Sequence, residues 1–204
     1  MFNYIKKNYG WLIVTLIAVG QLGIIIYHID LSNGFSFKPD AERPNMTGLE
    51  FMVHFTSEIG IRWMVAVLTA TPVYILLDLN NVLVRQSMGI ATAVFSFLHF
   101  IFFIWDEGFA QTFSEFNYIA GFIATIILIP LFFTSNRKSM RKLKNRWKKI
   151  QQYAYVAIVL SIVHIAFLDD IWIAYALVIG LGFIIRMNPI KEKIIAKRLE
   201  VLKR

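Results

Sequence analysis

Two histidines of this chain lie deep inside apolar runs. His99 sits in Phe95-Ser96-Phe97-Leu98-His99-Phe100-Ile101-Phe102-Phe103, and His164 in Leu160-Ser161-Ile162-Val163-His164-Ile165-Ala166-Phe167. An imidazole in such surroundings must find a partner, because an unsatisfied polar group there costs several kcal/mol. Ionisable residues inside a membrane are candidates for function by default. Three chemistries suit the pair. Each ring can supply one axial nitrogen to a haem iron, hydrogen-bond a serine or carbonyl of a neighbouring helix, or relay protons in a carrier.

Depth favours bringing the two rings together. His99 lies 14 residues after Arg85, and His164 lies 13 residues after Gln151. At ~1.5 Å per helical residue, each climbs ~20 Å from the same side. If both helices run in one direction, the imidazoles reach one level and can clamp a flat, metal-centred ring between them. His54 and Arg62, eight residues apart, fall near the outer mouth of an earlier run. His54 suits either a headgroup-layer histidine or a contact for a haem edge or quinol. Arg62 would either snorkel to headgroups or meet a propionate. His28 reads as interfacial.

The elements that must hold these residues are membrane spans. The chain has 204 residues, of which 57% are hydrophobic and 17% charged, with 18 phenylalanines and no cysteine. Its mean hydropathy is +0.60. Soluble domains usually carry ~25% charged residues, and the shortfall here falls in long apolar blocks. That excludes disordered, collagenous and disulfide-stapled classes, and lack of cysteine removes thiolate zinc sites and cysteine-ligated clusters. Six blocks approach the ~20 residues needed to cross a bilayer: about Trp11–Tyr27, Ile59–Leu77, Met88–Trp105, Tyr118–Phe133, Gln151–Leu168 and Ile171–Ile185. The first follows a basic start but lacks a small-x-small cleavage pattern, so it reads as a retained helix. Pro72 inside the second kinks a membrane helix without ending it, provided that neighbours satisfy the freed carbonyl. Continuous rather than alternating apolar runs favour helices over barrel strands.

Charge orients the bundle. With the N-terminus inside, 18 of the 21 basic residues fall on the inner side, and the outer side holds Lys38, Arg43 and Arg62. By the positive-inside rule both termini are cytoplasmic. The basic cluster from Arg137 to Lys149 is then the anchor facing anionic headgroups, not a nucleic-acid site. The reading is an all-α integral membrane protein, one domain over residues 1–204 with six transmembrane helices. No HExxH motif, nucleophile elbow or intramembrane carboxylate pair suggests hydrolysis.

Several motifs then fall into a familiar order. His54-Phe55-Thr56, followed by Thr71-Pro72, resembles a second-span signature of the haem-binding membrane subunits of periplasmic methionine sulfoxide reductase systems, within the ferric-reductase-like transmembrane group. Arg85 to Gly89 leading to Leu98-His99, Phe133-Thr134-Ser135, Trp147 and Val163-His164 continue the match over about residues 50–170. The resemblance implies a multi-pass b-type cytochrome of the bacterial inner membrane. It would pass electrons from quinol or flavin through haem to a periplasmic molybdenum-containing reductase, with FMN or a quinone as further cofactors. His99 and His164 would be its iron ligands, with Arg62 and His54 near the haem. Members of the group commonly carry a histidine where this chain has Gln151. Glutamine ligates haem iron poorly and Arg85 cannot partner it, so one haem at the outer level is expected. Gln151, Gln152, Arg85 and Trp147 remain to meet a flavin or quinone. No glycine-rich dinucleotide fold is present, so NAD(P)H would need a partner such as a flavin reductase. A cofactor-poor scaffold of the same fold, a ferric reductase and a proton-coupled carrier are the rival readings.

Overall fold

A computed structural model describes residues 2–32, 34–40, 42–78 and 82–203, with side chains described from residue 10 to residue 200. The elements are α1 (Phe2–Tyr27), β1 (Ile29–Asp30), β2 (Ser36–Phe37), α2 (Gly48–Leu77), α3 (Val82–Glu107), a 3-10 turn (Phe109–Phe113), α4 (Phe116–Thr134), α5 (Arg137–Leu143), α6 (Asn145–Ala166), α7 (Trp172–Arg186) and α8 (Asn188–Lys203). The protein is an all-α, multi-span membrane fold apart from one small antiparallel pair, in which Ile29 faces Phe37. Met1 and Arg204, the termini expected on the cytoplasmic side, lie outside the described residues.

Helices α1, α2, α3, α4 and α6 are each long and apolar enough to cross a membrane. The expected sixth span differs. Helix α7 has 15 residues, ~22 Å against a ~30 Å hydrocarbon core. It reaches span length only when joined to α8, which turns away by 74°. The cause is local: Met187 is extended (φ −60°, ψ 131°), and Pro189 has no N–H to continue the α7 ladder. The basic segment expected as a loop is also partly helical, as α5.

Helix α2 begins eleven residues before the expected boundary, because its start is capped. Thr47 Oγ1 accepts from the Glu50 amide at 3.1 Å, and the Glu50 carboxylate accepts from the Thr47 amide at 2.6 Å, a reciprocal capping box. Gly48 is required here: a Cβ would lie 2.0 Å from the Phe37 carbonyl oxygen. The strand pair is thereby pressed onto the start of α2. Phe35 and Phe37 then reach Trp105 and Phe102 at the end of α3, so this end of the bundle is closed by aromatic contact.

Five helices form a ring. Helix α2 packs on α3, α3 on α4, α4 on α6, α6 on α7 and α7 back on α2, while α1 lies outside against α3. The Pro72 kink shows how the ring is sealed. Proline offers no amide to the Leu68 carbonyl, and the Arg186 guanidinium of α7 donates to that oxygen instead. Gly182 lets α7 approach, since a Cβ there would meet the Pro72 ring at 3.3 Å. Arg198 of α8 donates to the Tyr74 and Ile75 carbonyls and pairs with Asp78 at 3.2 Å. It satisfies the end of α2, where cations suit the helix dipole.

One apolar cluster fills the ring and a second joins α1 and the strand pair to α2 and α3. The first holds Ile61, Met64, Leu68, Ala93, Leu128, Ala157, Ile158 and Ile179. The second holds Ile25, Phe37, Met52, Ile59, Phe95 and Phe102. Outward-facing Leu16, Leu177 and Leu181 are well exposed, as lipid-facing positions of a span should be.

Candidate functional site

Helices α3 and α6 flank α4 and bring His99 and His164 together. Their ring centroids are 6.4 Å apart with planes inclined at 56°. Each ring is anchored by a neighbouring helix. His99 Nδ1 lies 3.1 Å from the Val53 carbonyl oxygen of α2, and His164 Nδ1 lies 2.8 Å from the Asn117 carbonyl oxygen of α4. A neutral imidazole facing a carbonyl must carry its proton on the nitrogen that faces it, so Nδ1–H donates in both. Neither Nε2 has a hydrogen-bond partner among the described residues.

This is the arrangement of a metal-ligating histidine, whose other nitrogen is fixed by a carbonyl. Two imidazoles sharing one metal through ~2 Å bonds on opposite sides place their ring centres ~6 Å apart, close to the spacing observed. Among the described residues no group of three or more His, Asp or Glu side chains comes together, so a multidentate cage is not formed. Two imidazoles so spaced in apolar surroundings, each with its Nε2 left over, could serve as the two axial ligands of a haem iron. Gly121 makes room for the second ring: a Cβ there would stand 3.0 Å from His164 Nδ1 and 3.1 Å from its Cγ. Tyr118 packs on the same ring at 6.2 Å.

The other expected residues divide. Arg85 and Gln151 meet at one cavity of about 390 Å³ inside the ring, toward α5 and the start of α6. Its floor is apolar, with Met64, Leu68 and Leu128, and its polar wall includes Gln86, Lys148, Gln152 and Arg186. Gln151 Nε2 donates to Thr134 Oγ1 at 3.0 Å, and Trp147 Nε1 donates to the Thr134 carbonyl at 2.9 Å. Arg62 is on the outer face of α2 and pairs with Glu58 at 2.7 Å. His54 is also exposed; its neighbour Val53 is the residue that touches the histidine pair. His28 bonds the Ile24 carbonyl of its own helix at 2.9 Å.

Sequence reasoning missed Asn117, Gly121 and Arg186. Asn117 and Gly121 are one helical turn apart near the start of an apolar run, a signal for a helix face that receives something polar. Arg186 was counted only as inner-side charge, whereas it satisfies the Pro72 kink and donates to Tyr155 at 2.6 Å.

The fold and site define a class: a multi-pass inner-membrane protein with an anchored histidine pair within its helix ring. The chain belongs to the ferric reductase like transmembrane component family, which matches residues 59–162, just over half its length. It is similar to the protein-methionine-sulfoxide reductase heme-binding subunit MsrQ of Agrobacterium fabrum, with 24% identity over 174 residues, 79% of this chain and 77% of the relative. The MsrQ subunits of Brucella ovis and Brucella canis are each 27% identical over 118 residues, 54% of either chain. The chain thus spans about half the length of the Brucella relatives it matches. No solved structure matches it.

Proposed function

We propose that this chain is a b-type cytochrome subunit that passes electrons across the inner membrane to an external acceptor. The histidine pair carries the reading, with anchored Nδ1 atoms, free Nε2 atoms and ring centroids 6.4 Å apart. Bound haem would supply a one-electron carrier whose potential depends on axial ligation, hydrogen bonding and burial. The Val53 and Asn117 carbonyls hold both tautomers and ring orientations, and Gly121 leaves the space in which His164 turns. The basic end, with α5 and α8, is assigned to the cytoplasm by the positive-inside rule. His164, two residues from the end of α6, then lies close to the outer surface.

Electrons enter from quinol or from flavin. The cavity at Arg85 and Gln151 supports an entry site for such a molecule, because its polar side chains include the donors Arg85, Lys148, Gln152 and Arg186 and no carboxylate. Among the described residues buried Gln86 Nε2 and Arg186 Nε lack partners, which suits the carbonyl and phosphate oxygens of quinone or FMN. That level offers no imidazole, so one haem is expected. The acceptor is the catalytic subunit of a protein-methionine-sulfoxide reductase, as the names of the related MsrQ subunits suggest; a periplasmic, molybdenum-containing form of it is what the sequence resemblance implies, and final catalysis belongs to that partner.

The test is a reduced-minus-oxidised spectrum of the detergent-purified protein with haem quantified per chain. About one haem, lost in both His99→Ala and His164→Ala, is the expected result. A folded wild-type protein that stays colourless after haem supplementation would overturn the cytochrome reading and favour a scaffold of the same fold.

A further inference from the structure

Among the described residues four polar ones are buried: Thr56, Thr92, Thr112 and Asn117. The first two are satisfied within their own helices, through the Met52 carbonyl at 2.6 Å and the Met88 carbonyl at 2.9 Å. The other two are not. Asn117 Nδ2 and Thr112 Oγ1 have no hydrogen-bond partner among the described residues, although Asn117 is 2% and Thr112 1% exposed. Buried polar groups are nearly always paired, so an orphan of this kind points to a bound molecule.

Their place in the fold narrows what that molecule is. Asn117 is the residue whose carbonyl orients His164. Thr112 lies five residues earlier, in the 3-10 turn that packs on α3 and α4, the helices carrying His99 and Asn117. Both orphans lie at the start of α4 and in the turn just before it, and Asn117 adjoins His164 through its own carbonyl. Haem b carries two carboxylates at one edge, which need donors when drawn out of water. Arg62, the cation that the sequence offered for them, is engaged with exposed Glu58. The Asn117 amide N–H and the Thr112 hydroxyl are buried donors left without partners among the described residues.

We propose that the Asn117 side-chain amide, seconded by the Thr112 hydroxyl, is a positioning donor for the carboxylate edge of a haem held between His99 and His164. This rests on the haem reading above and adds two residues to it. A donor to a haem carboxylate draws negative charge away from the macrocycle and favours its reduced form. Removing the donor lowers the midpoint potential while leaving both imidazoles in place.

The experiment is a spectroelectrochemical titration of the full-length protein with haem counted per chain, for wild type, Asn117→Leu, Asn117→Gln, Asn117→Asp and Thr112→Val. Asn117→Leu is expected to keep the spectrum of two histidine ligands at a lower potential. Asn117→Gln, which retains a donor, should fall closer to wild type. Asn117→Asp sets a carboxylate against a carboxylate and should lose haem several-fold. Thr112→Val decides the matter if Asn117→Leu does not fold, and should shift the potential in the same direction by less. Wild-type potentials in every folded variant with haem retained would overturn this inference and leave the cytochrome reading standing. Absence of haem from the wild type would overturn both.

Discussion

The same two helices carry two different sites, one at each level of the ring. At the outer level α3 and α6 present His99 and His164, each anchored through Nδ1 to a carbonyl of a third helix. About four turns away, at the inner level, the same helices present Arg85 and Gln151 to a cavity of about 390 Å³. Neutral imidazoles with free Nε2 atoms can share an electrophilic metal. A guanidinium cannot, because it has no acceptor at all. A wall of amides and cations instead favours ligands rich in oxygen acceptors. Repetition of backbone geometry along a helix pair therefore does not repeat the chemistry; the side chains and their anchors decide it.

The largest effect expected from breaking this contrast is at Gly121. Gly121→Val puts a branched Cβ where the His164 ring lies, within 3.0 Å of Nδ1. The ring must move and its bond to the Asn117 carbonyl is lost. Removing such an anchoring contact typically costs 10–100-fold in metal affinity, so haem per chain should fall about tenfold or more. The inner cavity is untouched, but the haem-free protein also loses a buried hydrogen bond and should be destabilised by ~1–3 kcal/mol, so haem is counted per folded chain. Haem retained at wild-type occupancy would mean that the ring position is not what holds the cofactor.

Next comes a change confined to the inner half. Arg186→Leu leaves the Leu68 carbonyl without the donor that Pro72 cannot supply, and it also unpairs the Tyr155 hydroxyl. An unsatisfied buried acceptor costs ~1–3 kcal/mol. Adding Pro72→Ala restores an amide to that carbonyl and should recover part of the loss. Denaturation of the single and double variants in one detergent would measure this, with haem content expected to stay constant. Additive losses in the double variant would show that arginine and proline are not coupled.

How much of this was legible in the residues depends on what each signal records. Apolar length located α1, α2, α3, α4 and α6, since the bilayer imposes a span length on any sequence. It placed their ends poorly, because ends are set by caps: the Thr47–Glu50 box extends α2 well before Ile59. At α7 the expected Ile171–Ile185 matches the helix to within a residue, but its 15 residues reach span length only together with α8, which is bent away by 74°. The histidine level was readable because depth along a helix is simple arithmetic. Direction around the helix was not: Arg62 and His54 were each left between a headgroup role and a haem-edge contact, and the structure has both side chains exposed. Asn117 and Arg186 were invisible as partners, since their roles arise only when α4 meets α6 and α7 meets the α2 kink.

A smaller effect is expected where the inner level is pushed toward the outer one. Gln151→His puts an imidazole at the position where the family resemblance leads one to be expected. A second ligand is still missing across the cavity, where Arg85 is a cation. The haem count should therefore remain near one per chain, with the only cost the Gln151–Thr134 hydrogen bond, a net ~0.5–1.5 kcal/mol. Two haems in this single variant would mean that the inner level needs only one imidazole and that the two levels differ less than their side chains imply.

The smallest effect is expected from Arg62, and its smallness is informative. Arg62 shares the outer half of α2 with the residues around His99, yet its side chain is 59% exposed and pairs with Glu58, itself 43% exposed. An exposed pair at this helical spacing is worth ~0.3–0.5 kcal/mol. Arg62→Ala should lower stability by about that amount and leave haem content and midpoint potential unchanged, since the donors proposed for the haem edge are Asn117 and Thr112. A marked fall in potential would instead require the guanidinium to leave Glu58 and reach the haem edge. The outer site would then be drawn together from the lipid-facing side of α2 as well as from inside the ring.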